Sequence, residues 1–102
     1  MSVGTELFNL KGKRALITGS SQGIGYALAL GLSQAGATII LNGRNKEKLE
    51  KAAKTINITG ELHQLCFDAT DHAQTKEVID NFENTLGAID ILVNNAGMQH
   101  RS

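Results

Sequence analysis

The sequence predicts an α/β fold: a parallel sheet with helices on both faces. Two observations predict it. Four short apolar runs rich in β-branched residues alternate with segments whose apolar residues recur at helical spacing. A turn with three glycines in seven residues stands at the first junction between a run and a helical segment. Regular alternation of this kind favours parallel strands joined by right-handed crossovers.

The elements follow in order. The first ten residues are a lead-in, with Leu10 placed to pack on the sheet. Residues 14–18 (RALIT), 38–41 (TIIL), 62–67 (LHQLCF) and 89–93 (IDILV) read as strands. Ile24, Leu28, Leu32 and Ala35 are expected on one face of the first helix. Leu49, Ala52, Ala53 and Ile56 form the stripe of the second, with Glu47/Lys51 and Glu50/Lys54 as pairs on its solvated face. Val78, Phe82 and Leu86 form the stripe of the third. Asn45 and Asp71 suit N-caps, and Gly36 and Gly87 suit helix stops. No linker, repeat or low-complexity segment divides residues 1–102.

Composition excludes several classes. Ten basic and ten acidic residues cancel, so no net field draws the chain to nucleic acid or to a membrane surface. A single cysteine, Cys66, cannot close an internal disulfide, and its place in an apolar run suggests a core residue. His63, His72 and His100 lack metal-ligand spacing, so no metal site is expected. No apolar stretch reaches the ~18 residues of a membrane helix, and a cytoplasmic protein is expected.

The glycine turn is residues 18–25, Thr-Gly-Ser-Ser-Gln-Gly-Ile-Gly. Gly19 permits a sharp turn, Gly23 lets a diphosphate approach the backbone, and Gly25 lets helix and strand pack closely. The helix that follows presents N–H groups and a partial positive charge to an anion. Ser20, Ser21, Gln22 and Ile24 complete the candidate loop. After the second strand, Arg44 stands where a carboxylate would serve the ribose hydroxyls of NAD. A guanidinium there suits a 2′-phosphate, so NADP(H) is favoured over NAD(H).

The TGxxxGxG pattern, together with Asn94-Asn95-Ala96-Gly97 after the fourth strand, resembles the short-chain dehydrogenase/reductase family. The resemblance covers nearly the whole chain and implies a Rossmann-like, doubly wound fold and interconversion of a hydroxyl and a carbonyl with a nicotinamide cofactor. It implies that Asp68, followed by Ala69, faces the adenine, although Asp68 also suits a turn. It implies that Asn95, Ala96 and Gly97 lie along the cofactor, while Asn94 holds neighbouring strands in register. Ser20 is a second candidate for the 2′-phosphate.

The family's proton-relaying tyrosine, with a lysine four positions on, has no counterpart here. The only tyrosine is Tyr26, expected on a helix surface, and position 30 is Leu30. No catalytic residue is therefore assigned. The chain is expected to be the N-terminal β-α-β-α-β-α-β part of one dinucleotide-binding domain, inactive alone, with the catalytic part after residue 102. Full-length family members imply a dimer or tetramer. Arg101, in the segment after Gly97, could pair with a substrate carboxylate. Both ends of the chain resemble family members acting on sugar acids, with gluconate and 5-ketogluconate as the expected pair. A 3-oxoacyl thioester substrate and a non-catalytic dinucleotide-binding module are the alternatives.

Overall fold

Arg14–Ile17 forms β1, Gly23–Gln34 α1, Thr38–Gly43 β2, Lys46–Thr55 α2, Leu62–Cys66 β3, His72–Leu86 α3, Ile91–Val93 β4 and Asn95–Met98 α4. The computed structural model describes residues 9–58 and 60–98. The four strands form one sheet in the order β3-β2-β1-β4, and every pairing is parallel. This is the Rossmann-like arrangement expected from the sequence.

Side-chain alternation divides the core in two. Ala15 and Ile17 of β1 and Ile39 and Leu41 of β2 face α1 and α2, where they meet Ala29, Leu49 and Ala52. Leu16 and Ile40 point the other way, to Phe82 of α3 and to Phe67 just after β3. The two central strands are thus buried on both faces, which is why they read as continuous apolar runs. Each fully buried Leu or Ile contributes about 1.5–3 kcal/mol of transfer free energy.

The helix ends match the sequence reading. The Asn45 side chain accepts from the Lys48 N–H, and that of Asp71 from the Gln74 N–H. Gly36 and Gly87 follow α1 and α3 at φ of 107° and 118°, where a Cβ would be strained. Leu10 packs against the α1–α2 side of the core.

Four expectations are corrected. Leu86, expected on the apolar stripe of α3 with Val78 and Phe82, is 45% exposed at the end of that helix. The buried residues of α1 are Gly25 and Ala29, whereas Ile24 is 68% and Leu28 40% exposed. The helix is apolar around much of its circumference, so spacing alone cannot choose its inner face. Close approach to the sheet selects the face with the small residues. Tyr26 is not simply a surface residue: its ring packs against the core and its hydroxyl meets Thr55 Oγ1 at 3.2 Å. Cys66 is exposed, because β3 is an edge strand with α2 covering only part of it.

The order of the strands positions the site. The chain steps from β1 through β2 to β3, then returns to the opposite side of β1 for β4. Strand order reverses at β1, and the carboxyl ends of the strands around such a switch point form a ligand crevice.

Candidate functional site

A cavity of about 440 Å³ opens at those carboxyl ends. Of the residues singled out in the sequence, Gly19, Ser21, Gln22, Arg44, Asp68, Ala69 and Ala96 line it. Four segments far apart in the chain therefore converge: the glycine turn, the end of β2, the end of β3 and the start of α4.

The glycine turn is shaped by backbone that other residues adopt at a cost. Gly19 and Gly23 have φ of 62° and 65°. Gln22 is the N-cap of α1, in extended conformation, and makes no side-chain cap bond. The other two long helices are capped by Asn45 and Asp71. The first turn of α1 also holds no acidic residue. Its N–H groups lack partners within the helix and face no competing carboxylate of their own turn, which suits a bound anion.

Ser20 and Asn95 lie elsewhere in the same framework. Ser20 is fully buried; its hydroxyl donates to the Ile17 carbonyl at 2.7 Å and accepts from the Asn42 N–H at 2.9 Å. Asn95 is 1% exposed, and its Nδ2 donates to the Gly19 carbonyl at 3.0 Å. Neither side chain lines the cavity. Both brace the loop from behind. Gly25 sits at this brace, and Gly23 and Ile24 are exposed at the start of α1. Thr18 ties β1 to α4: its hydroxyl donates to the Val93 carbonyl and accepts from the Ala96 N–H at 3.0 Å. Among the described residues the Asn94 side chain meets only the Thr18 hydroxyl, at 3.4 Å, which links the ends of β4 and β1, while the bond to the loop is made by Asn95. Gly97 lies within α4, and Arg101 falls outside the described residues.

The far wall carries the charges. Arg44 and Lys48 both line the cavity, and both are exposed. In the sequence Lys48 stands among the charges of α2, and nothing there singles it out. Its cap bond to Asn45 places it in the first turn of α2, one turn beyond Arg44, on the cavity side. Asp68 lines the same wall. Its Oδ1 accepts from the Thr70 hydroxyl at 2.6 Å and the Thr70 N–H at 2.9 Å. Those two bonds hold its carboxyl below the usual aspartate range; Arg44 adds to the effect, and desolvation opposes it. Asp68 thus forms a turn and lines the cavity at once, so the two readings of it are compatible.

Asn42 escaped sequence reasoning. It is 1% exposed, and its side chain links the glycine turn to the end of β3. The signal that could have found it is an amide directly after a run of buried apolar residues, since a buried amide needs partners. Among the described residues no cluster of His, Cys, Asp and Glu could hold a metal, and no helix is long and apolar enough to cross a membrane.

Comparison with known proteins agrees with this geometry. A family model described as short chain dehydrogenase matches residues 13–102. Gluconate 5-dehydrogenase of Gluconobacter oxydans (strain 621H) is 45% identical over 98 residues, which are 95% of this chain and 38% of that protein. The crystal structure of a gluconate 5-dehydrogenase from Burkholderia cenocepacia J2315 in complex with NADP and tartrate superimposes with a TM-score of 0.83 at 49% identity. That match covers 97% of this chain and 39% of the solved one. L-Sorbose reductase from Gluconobacter frateurii, solved with NADPH and L-sorbose, gives a TM-score of 0.79 at 33% identity, over 93% of this chain and 40% of that one. The chain therefore spans well under half the length of these relatives. With its glycine turn, its Asn-Asn-Ala-Gly segment and its sheet order in place, the chain belongs to the short-chain dehydrogenase family.

Proposed function

We propose that these 102 residues are the cofactor-holding part of an NADP(H)-dependent oxidoreductase that interconverts a hydroxyl and a carbonyl, with gluconate and 5-ketogluconate as the substrate pair. The observation that carries the cofactor reading is the cavity itself. One wall is an uncapped helix N-terminus behind a glycine turn; the other bears Arg44 and Lys48 with no carboxylate at the end of β2.

The residues present fit the group. The glycine turn and the first turn of α1 hold the diphosphate through backbone N–H groups. Gly43 leaves space where a side chain would crowd Ser21: a Cβ there would lie 3.2 Å from the Ser21 hydroxyl. Arg44 and Lys48 take the 2′-phosphate, and Asp68 and Ala69 lie along the adenine. Ser20 and Asn95 act from behind the loop by fixing its shape. Ala96 and Gly97 face the inner side of the cofactor. The nicotinamide, when bound, carries the hydride.

In this reading the proton relay comes from the remainder of the protein. Tyr26 is committed to Thr55 and to the core, away from the cavity lining. The greater length of the relatives supports a further catalytic part outside these residues, their names support a small-molecule substrate, and a homo-oligomeric enzyme is the expectation that the family resemblance adds. The names of the relatives support the sugar-acid pair.

The test uses the whole protein. Fluorescence titration with NADPH and NADH is expected to favour NADPH by about ten- to hundredfold, the value of one or two charged hydrogen bonds. Turnover of gluconate with NADP+ is expected. Reduction of a 3-oxoacyl thioester without oxidation of gluconate would reject the sugar-acid pair. Tight NADPH binding with turnover of neither would favour a binding module.

A further inference from the structure

We propose that Asn42 is a positioning residue that fixes the separation between the glycine turn and the adenine wall, and so sets affinity for a whole dinucleotide. The inference rests on the dinucleotide reading above. Backbone pairing between β1 and β2 ends at Ile17 and Leu41. Just beyond that point the Asn42 side chain takes over. Its Oδ1 accepts from the Gly19 N–H at 2.9 Å. Its Nδ2 donates to the carbonyl of Leu65 at 3.0 Å and to that of Phe67, the residue before Asp68, at 3.1 Å.

Both amide donors and one acceptor are thus spent on backbone of the glycine turn and of the end of β3. Aspartate would keep the bond from Gly19 but lose both donors. Alanine would lose all three bonds. The main chain of Asn42 is clamped as well: its carbonyl accepts from the Ser20 N–H at 2.8 Å, and its N–H donates to Ser20 Oγ at 2.9 Å. Asn42 lines the cavity, yet its polar atoms hold walls rather than ligand. Its role follows from which walls it joins. One carries the diphosphate-binding turn and the other ends at the residue that faces the adenine.

A dinucleotide must touch both walls, whereas adenosine 2′-monophosphate touches only the adenine side. The test therefore titrates both ligands against the whole protein and its Asn42→Ala variant by calorimetry. NADP+ affinity is expected to fall about tenfold or more, from the loss of buried hydrogen bonds. Adenosine 2′-monophosphate affinity is expected to change by less than about threefold, since it spans no gap. Equal losses for both ligands, or none, overturn the inference. Failure of the unaltered protein to bind NADP+ instead overturns the cofactor reading on which it rests.

If the variant does not fold, amide hydrogen exchange in the unaltered protein decides. The Gly19 N–H is expected to exchange as slowly as the ladder amides of β1. Exchange at the rate of an exposed loop overturns the inference.

Discussion

A Cβ built on Gly25 would stand 2.5 Å from Nδ2 of Asn95. The same atom would also collide with the Gly19 carbonyl oxygen and lie 2.9 Å from the Ser20 Cα. Gly25 and Asn95 thus share one tight space, and Asn95 uses it to hold Gly19. Gly25→Ala is expected to destabilise the fold by about 1–3 kcal/mol, the usual cost of overpacking. NADPH affinity should fall with it, because the clash moves the loop. Gly23→Ala meets no atom within 4 Å and pays only for its φ of 65°, about 1–2 kcal/mol. Urea unfolding of the two variants checks the order; equal stability of Gly25→Ala and the parent would refute the packing argument.

Lys48→Ala is expected to weaken NADPH binding by about three- to tenfold, as for one partly screened ion pair, and to leave NADH binding unchanged. The side chain is exposed, so stability should stay within about 0.5 kcal/mol. The loss should shrink at high salt. Titrating both cofactors at two ionic strengths measures this. Parallel losses for NADPH and NADH would remove Lys48 from the 2′-phosphate.

Asp68 gives a pH dependence whose sign is fixed. Its carboxyl lies below the ordinary aspartate value of 3.8 because Thr70 donates twice to the ionised form. A depressed folded-state value contributes stability above the ordinary value, and that contribution is lost as pH falls through the folded one. The stability difference between the parent and Asp68→Asn should therefore be flat from about pH 7 to 5 and shrink only below about pH 4. Urea midpoints of both proteins across that range test it. A difference that closes near pH 6 would assign the effect to another group.

Asp71→Ala removes the cap of α3, whose N-terminal Gln74 N–H it serves. A loss of about 1 kcal/mol is expected. Cofactor affinity should not follow, since Asp71 is absent from the cavity lining. Thermal unfolding and an NADPH titration on the same sample separate the two. A matching loss of affinity would mean that α3 shapes the site more directly than its position indicates.

Much of the fold was legible because its signals are local. The apolar runs of β1 and β2 are buried on both faces, so their pattern needs no context. Asn45 and Asp71 cap helices through bonds to residues three positions on, which the sequence displays directly. The inner face of α1 was not legible, since Ile24 and Leu28 make a stripe as regular as that of Gly25 and Ala29. The choice lies in the space beside Asn95, which comes from the far end of the chain. Cys66 misled for a similar reason: alternation identifies a strand but not its place at a sheet edge. At the site, Gly19, Arg44 and Asp68 were found as the ends of separate strands. Lys48 was hidden among other charges of α2, and Asn42 among apolar neighbours, because only the assembled crevice distinguishes them.

Gly19 is held on both sides, by Asn42 from 23 positions away and by Asn95 from 76. A short peptide with the same glycines would carry the freedom of the turn and none of its shape. Both braces exist only where β2 and the segment after β4 lie beside β1, so the loop is expected to order late, after the entropy of closing those long loops has been spent. Its order and the order of the sheet rise and fall together. A ligand gripping the turn would then slow hydrogen exchange in β4, on the other side of the strand it touches.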